Sequence, residues 1–186
     1  VVVKPATVTP LSALKLAELL LEAGLPPKVL NVVTGPGGEV GEALVTDPRV
    51  RMISFTGGVE AGLAVTRKAG LKKIGMELGS NSPVLVLDDC DLPAAVESCV
   101  SGAFWAAGQN CIGVQRVYVQ EGVFEAFREA FVARTLRYKV GPKLEEDCDM
   151  GPLITEGEAR RVEGWVAEAL AAGATLECGH RRERAV

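Results

Sequence analysis

Short apolar runs of β character alternate with stretches of helical period along the whole chain, and no other feature narrows the fold as far. Residues 1–3, 29–33, 52–55, 73–78, 83–87, 114–119 and 174–177 read as strands. The first helical pattern starts at Thr9-Pro10, with Thr as N-cap and Pro at the first helical position. It continues through Leu14, Ala17, Leu20 and Leu21 and stops at Gly24 and Pro26-Pro27. Further helices run from the glycine-rich 35–38 turn through Val45, and from Thr56-Gly57-Gly58 to near Gly70. Three more cover 92–107, 123–137, and Thr155 or Gly157 to Ala172. Such alternation with short turns predicts a parallel α/β sheet with helices on both faces. Residues 138–152, rich in Gly, Pro and acidic groups, read as a loop.

Composition removes other classes. With 48% apolar and 24% charged residues, the 186-residue chain can bury enough surface to offset its ordering entropy, so disorder is excluded. No apolar run approaches the roughly 20 residues of a spanning helix. Twenty basic against 24 acidic residues leave a net charge of −4, which argues against a nucleic-acid or anionic-membrane partner. The Arg-rich end at 181–186 reads as a solvated tail. The five cysteines (90, 99, 111, 148 and 178) are odd in number, none is at C-x-x-C spacing, and the single histidine is His180. That pattern speaks against both a structural zinc site and a disulfide framework. It implies a reducing, cytoplasmic compartment in which most cysteines are small buried hydrophobes and one can be reactive. The chain has no initiating Met and opens within a strand-like run, so it reads as a piece of something longer.

Four places carry candidate chemistry. Gly35-Pro36-Gly37-Gly38-Glu39-Val40-Gly41 joins a strand to a helix and is either a plain tight turn or a dinucleotide loop with backbone N–H groups near an anion. Phe55-Thr56-Gly57-Gly58 repeats the arrangement one strand later, where open α/β sheets bind ligands. Glu77, in Met76-Glu77-Leu78-Gly79, is either a solvated strand-end charge or a carboxylate facing a ligand crevice. Cys111, in Gly108-Gln109-Asn110-Cys111-Ile112, is either a structural cysteine or an accessible nucleophile with small and polar neighbours. No histidine is close in sequence, which disfavours a Cys–His hydrolase.

Together these motifs resemble the aldehyde dehydrogenase superfamily. Lys4-Pro5-Ala6 is similar to the family's K-P-[SA] strand end, and Gly24-Leu25-Pro26 with Asn31-Val32-Val33 to its "GLP…NVV" segment. Gly37 and Gly41 match its G-x-x-x-G turn, and Phe55-Thr56-Gly57 its F-T-G loop. Glu77-Leu78-Gly79 matches its E-L-G-G motif, Gly108-Gln109-x-Cys111 its G-Q-x-C motif, and Gly151-Pro152-Leu153-Ile154 its G-P-L-I. The resemblance covers residues 1 to about 179 and marks the chain as the central segment of an NAD(P)-dependent aldehyde dehydrogenase.

The resemblance implies a partial parallel Rossmann-like cofactor-binding sheet followed by the first part of an α/β catalytic domain. Residues 1–79 would be the C-terminal part of the NAD(P)-binding domain, and 80–186 the truncated N-terminal part of the catalytic domain. Cys111 would attack an aldehyde to give a thiohemiacetal, its backbone N–H helping to hold the oxyanion, and hydride loss to the nicotinamide would leave a thioester. Glu77 would activate the water that releases the acid. Lys4 would contact the adenosine ribose, Gly37, Gly41, Phe55, Thr56, Gly57 and Gly58 would line the cofactor, and the backbone of Leu78 would touch the nicotinamide amide. Thr7 stands where many NAD-preferring members carry Glu, so NADP is tolerated or preferred on this reading. Gly58 stands where Ser is common. Ser80 replaces the second Gly of E-L-G-G and has no assigned role.

The family's oxyanion Asn, its Glu-x-Phe ribose clamp and its subunit-joining arm lie outside these residues. The isolated chain is therefore expected to be inactive, and the longer parent to be a homo-oligomer acting on a small aldehyde. The alternative is a truncated, non-catalytic folded or assembly module. No metal site is expected.

Overall fold

The structure, a computed structural model, describes residues 1–142, 144–179 and 181. His180 and the rest of the Arg-rich end lie outside the described residues. The chain divides into two compact units, Val1–Leu78 and Gly79–Val186.

The first unit contains two strand–helix–strand repeats. Strand β1 (Val2–Val3) pairs in parallel with β2 (Asn31–Val32), and helix α1 (Leu11–Glu22) connects them. Past a π-helical turn at Gly37–Gly41 and the short α2 (Glu42–Thr46), β3 (Met52–Thr56), α3 (Val59–Ala69) and β4 (Lys73–Glu77) form the second repeat. Its ladder is again parallel and in register from Met52 opposite Lys73 to Thr56 opposite Glu77. Both α1 and α2 lack a side-chain N-cap bond. Thr9 is not the cap of α1: Pro10, already in helical geometry, occupies that place. The C-terminus of α1 follows the sequence more closely. Gly24 takes φ +94°, its N–H reaches the Leu21 carbonyl, and Leu25 N–H reaches that of Leu20. This is the paired closure that a left-handed glycine permits at a helix end.

The second unit repeats the pattern once, with β5 (Pro83–Val86), α4 (Leu92–Phe104) and β6 (Arg116–Val119) parallel to β5. Asp91 caps α4 by accepting the Ala94 N–H at 3.1 Å. Helix α5 (Glu121–Thr135) follows, then the 138–152 loop, then α6 (Glu156–Ala171), which Thr155 caps through the Glu158 N–H. The core sits between α4, α5 and the β5–β6 pair. Val100 is fully buried, with Val86, Val96, Cys99 and Phe127 around it. The Phe127 and Phe131 rings stack at 5.6 Å between centroids, and Phe104 meets Tyr138 at 5.7 Å. On the surface of the same packing, Arg134 of α5 grips both carboxylate oxygens of Glu97 on α4 at 2.7 and 2.9 Å. That bidentate bond holds the Glu97 pKa below the usual carboxylate range.

Two further expectations need correction. The strand expected at 174–177 does not form among the described residues; the segment has no ladder partner, and an isolated strand leaves its backbone groups without hydrogen bonds. The helix expected over 92–107 ends at Phe104, because Ala106 and Ala107 turn left-handed at φ 52° and 56°. The expected parallel α/β pairing takes the form of three two-stranded parallel ladders.

Val100→Ala removes two methyl groups from the tightest part of the second unit. It is expected to lower that unit's stability by about 2 kcal/mol in urea unfolding followed by circular dichroism. Leu136→Ala, at an exposed site of the same unit, is expected to change it by less than about 0.5 kcal/mol.

Candidate active site

In the first unit, parallel pairing brings the carboxyl ends of β3 and β4 together. Gly57 N–H donates to the Glu77 carbonyl at 3.0 Å, extending the ladder one residue beyond Thr56. The Phe55 ring lies against Gly57 so closely that a Cβ there would stand 2.5 Å from it and would push the ring aside. Gly58 begins α3 with extended φ/ψ and open space where a side chain would stand. The Glu77 side chain is exposed, and its carboxylate has no hydrogen bond or ion pair among the described residues.

Leu78 leans on α3: a Cβ on Gly62 would lie 2.5 Å from Leu78 Cδ2. The sequence reading passed over Gly62. Its signal was a lone glycine inside a helical pattern, which commonly marks a close approach.

At the other strand pair, Thr7 Oγ1 donates to the Gly35 carbonyl at 3.3 Å, tying the segment after β1 to the glycine turn after β2. The Lys4 stem runs past Gly41, with Cε 3.7 Å from where a Cβ would sit, and Lys4 Nζ donates to the Pro5 carbonyl at 2.7 Å. Gly37 has no atom within 4 Å of its missing Cβ. Thr7 and Lys4 thus reach the glycine turn after β2, at Gly35 and Gly41, while Gly37 between them stays open.

Cys111 belongs to the second unit and is the exposed member of the five free cysteines. Two carboxamides hold its turn. Gln109 Nε2 donates to the Ala106 carbonyl at 3.0 Å, while its Oε1 accepts the Ile154 N–H at 2.8 Å. Asn110 Nδ2 donates to the Trp105 carbonyl at 3.0 Å, while its Oδ1 accepts the Ile112 N–H at 3.1 Å. Each left-handed alanine costs about 1–2 kcal/mol, and each hydrogen bond returns about 1 kcal/mol net, so the four bonds offset the turn they hold. Beyond Cys111 the chain folds back onto α4. Val114 N–H reaches the Gly102 carbonyl at 3.1 Å, and Val114 fills the space a side chain at 102 would need. The Cys111 N–H makes no hydrogen bond among the described residues. Trp105 and Ile112, on either side, are both exposed.

The other thiols differ in setting. Burial pushes the Cys99 thiol pKa up. Cys148 is also raised, first by desolvation and then by the negative charges of Asp147 and Glu145. Ser80, which had no role, bonds to Ser82 through both the hydroxyl (2.8 Å) and the Ser82 N–H (3.2 Å) and so shapes the bend before β5.

A parallel α/β chain with open glycine turns at its strand ends has the kind of backbone that commonly binds nucleotide cofactors. Residues 1–186 match the family model described as "Aldehyde dehydrogenase family", and the chain belongs to that family. It is 56% identical over 183 residues to Aspartate-semialdehyde dehydrogenase 1 of Pseudomonas canavaninivorans, covering 98% of this chain and 39% of that protein. It is 44% identical over 180 residues to "Succinate-semialdehyde dehydrogenase [NADP(+)] GabD" of Escherichia coli, covering 96% of this chain and 37% of that protein. The crystal structure of glyceraldehyde-3-phosphate dehydrogenase GapN from Methanocaldococcus jannaschii complexed with NADP superposes with a TM-score of 0.94 at 40% identity, covering 100% of this chain and 41% of that one. The chain therefore spans well under half the length of the relatives it matches. No helix among the described residues is long and apolar enough to cross a membrane.

Two outcomes follow from this geometry. With limiting iodoacetamide near pH 8, peptide mapping should find Cys111 alkylated first and Cys99 and Cys148 last. A raised thiol pKa leaves less thiolate at a given pH, so the lag of Cys148 should shrink as pH rises. Gly62→Ala should lower the melting temperature, although alanine favours helices by about 1 kcal/mol over glycine, because Leu78 must move to admit the methyl group.

Proposed function

We propose that the chain is the segment of an NAD(P)-dependent aldehyde dehydrogenase that carries its nucleophile and its general base, and that the whole enzyme oxidises a small aldehyde to the carboxylic acid. The observation that carries the reading is the exposed Cys111 on a braced turn, with its own N–H making no hydrogen bond among the described residues. On this reading residues 1–79 end the cofactor-binding domain and 80–186 begin the catalytic domain.

Cys111 thiolate adds to the aldehyde carbon, and the developing oxyanion lies against the Cys111 N–H. Cys111 holds the carbon as a thiohemiacetal before hydride leaves and as a thioester afterwards. Glu77 takes a proton from the water that attacks the thioester, and Cys111 leaves as thiolate. A bound nicotinamide cofactor supplies the hydride acceptor. The residues proposed to hold it suit a phosphate-bearing ligand. Gly37 and Gly58 leave open space where side chains would stand, and the Lys4 stem lies beside Gly41. Phe55, Thr56 and Gly57 would line the cofactor at the next strand end, and the Leu78 backbone would contact the nicotinamide amide. Thr7 carries no charge to repel a 2′-phosphate, which supports NADP as well as NAD.

The partner is a small-molecule aldehyde. The net charge of −4 offers no general attraction for nucleic acid or an anionic membrane. The reading includes a reducing cytoplasmic setting and a homo-oligomeric full-length enzyme. The 186-residue chain alone is expected to show no turnover, since one missing oxyanion donor costs about 10²–10³ in rate. Robust aldehyde oxidation by the chain alone would contradict that.

A second reading, a non-catalytic assembly module, draws on α1, which buries no residue and exposes Leu11, Leu16, Leu19 and Leu21. Concentration-dependent sedimentation together with an unreactive Cys111 would favour it.

The catalytic reading is tested by transplanting the 183 aligned residues into the matching region of the 56% identical Pseudomonas enzyme. The chimera should reduce NAD or NADP with aspartate semialdehyde. Cys111→Ala should abolish this, and Glu77→Gln should keep a burst of reduced cofactor but slow turnover by about 10²–10⁴. Thr7→Glu should move the NADP/NAD preference toward NAD by at least about tenfold, equivalent to about 1.4 kcal/mol. An unchanged preference would remove Thr7 from the cofactor site.

A further inference from the structure

We propose that Gln109 is a positioning residue for Cys111: its carboxamide ties the nucleophile's turn to the 151–154 segment and so sets the direction from which the thiol meets a carbonyl. The inference rests on the reading of Cys111 as nucleophile.

Gln109 uses both ends of its side chain. Inward, Nε2 donates to the Ala106 carbonyl at 3.0 Å, and the Gln109 N–H reaches the same oxygen at 3.1 Å. Outward, Oε1 accepts the Ile154 N–H at 2.8 Å across 45 residues of chain. The carbonyl it grips belongs to a left-handed alanine at φ 52°, followed by a second at 56° and by Gly108 at 71°. Alanine has no intrinsic preference for that conformation, so outside bonds must hold the turn. Asn110 braces only its own loop, between Trp105 and Ile112. Among the described residues, Gln109 supplies the side-chain bond from the turn to a distant segment, and that segment is itself fastened. Val140 bridges to Met150, and Asp149 accepts the Lys139 N–H at 2.9 Å. The Gly151-Pro152-Leu153-Ile154 run thereby gains a function, as the donor side of a strap on the nucleophile's turn.

Loss of the strap should leave the thiol as exposed as before and disturb its approach to a carbonyl. Two reagents separate these effects on the purified 186-residue chain. p-Nitrophenyl acetate requires attack on a trigonal carbon. Cys111 Sγ bonds the acetyl carbon, the ester C–O bond breaks, p-nitrophenolate leaves, and the thiol proton goes to solvent. Iodoacetamide reports thiolate access. Site-resolved rates are read by mass spectrometry, with Cys90 and Cys178 as internal references.

Wild-type Cys111 should be acetylated faster than either reference; if it is not, the nucleophile reading fails, and this proposal with it. Given that selectivity, Gln109→Met should slow Cys111 acetylation by about tenfold while leaving its alkylation within about twofold. Gln109→Glu keeps an acceptor for Ile154 but loses the donor to the Ala106 carbonyl, so its acetylation relative to its alkylation should fall between Gln109→Met and wild type. Ile154→Pro deletes the donor from the other side and should slow acetylation, by no more than Gln109→Met, with the double variant no slower than Gln109→Met alone. It also reads the same bond should Gln109→Met fail to fold. Unchanged acetylation in Gln109→Met or Ile154→Pro, or equal slowing with both reagents, would overturn the positioning role and leave Cys111 as nucleophile.

Discussion

Parallel pairing is the constraint on which the rest of the first unit depends. Two parallel strands end on the same side, so the β3–β4 register that sets Thr56 opposite Glu77 also brings the Phe55–Gly58 turn beside the Glu77 carboxylate strand end. A one-residue slip would send every side chain of β4 to the opposite face. The Gly57 N–H to Glu77 carbonyl bond locks the last rung. Phe55 lying over Gly57 and Leu78 lying over Gly62 then fill the two places where glycine leaves room. The same logic brings Thr7 and Lys4 to the glycine turn after β2.

The second unit solves a different problem, which is to hold a thiol in the open. Its apolar core around Val100 keeps α4, α5 and the β5–β6 pair together, and the Arg134–Glu97 pair ties the two helices at the surface. Cys99 in that core is shielded and its thiol pKa is raised, while Cys111 lies beyond the end of the same helix α4 and is exposed. Twelve positions along the chain separate a cysteine that serves as packing from one that can serve as chemistry, and the backbone between them decides which is which.

Much of this was legible in the sequence. Helix and strand periods located α1 and α3–α6 and all six strands, because apolar spacing reports which face is covered. Gly24 announced the end of α1, and the ordered motifs from Lys4 to Ile154 led to the family. Three things could not be read. The run at 174–177 has strand composition, yet a strand exists only with a neighbour. Ala106 and Ala107 look like the end of a helix, since residue type does not encode a left-handed turn held from elsewhere. The bond from Gln109 to Ile154 joins two motifs that are each visible but whose contact depends on how the 138–152 loop returns.

The alanine pair before Cys111 has a consequence for how such a chain can change over generations. Asparagine or glycine would adopt the left-handed turn at little cost, whereas alanine makes the turn depend on Gln109 and Asn110. The order of substitutions therefore matters. With asparagine at 106 the turn would lean less on the carboxamide at 109, whereas losing Gln109 while alanine stays at 106 would leave the Cys111 turn loosely held. By this geometry a change at position 106 would be permissive for a change at position 109.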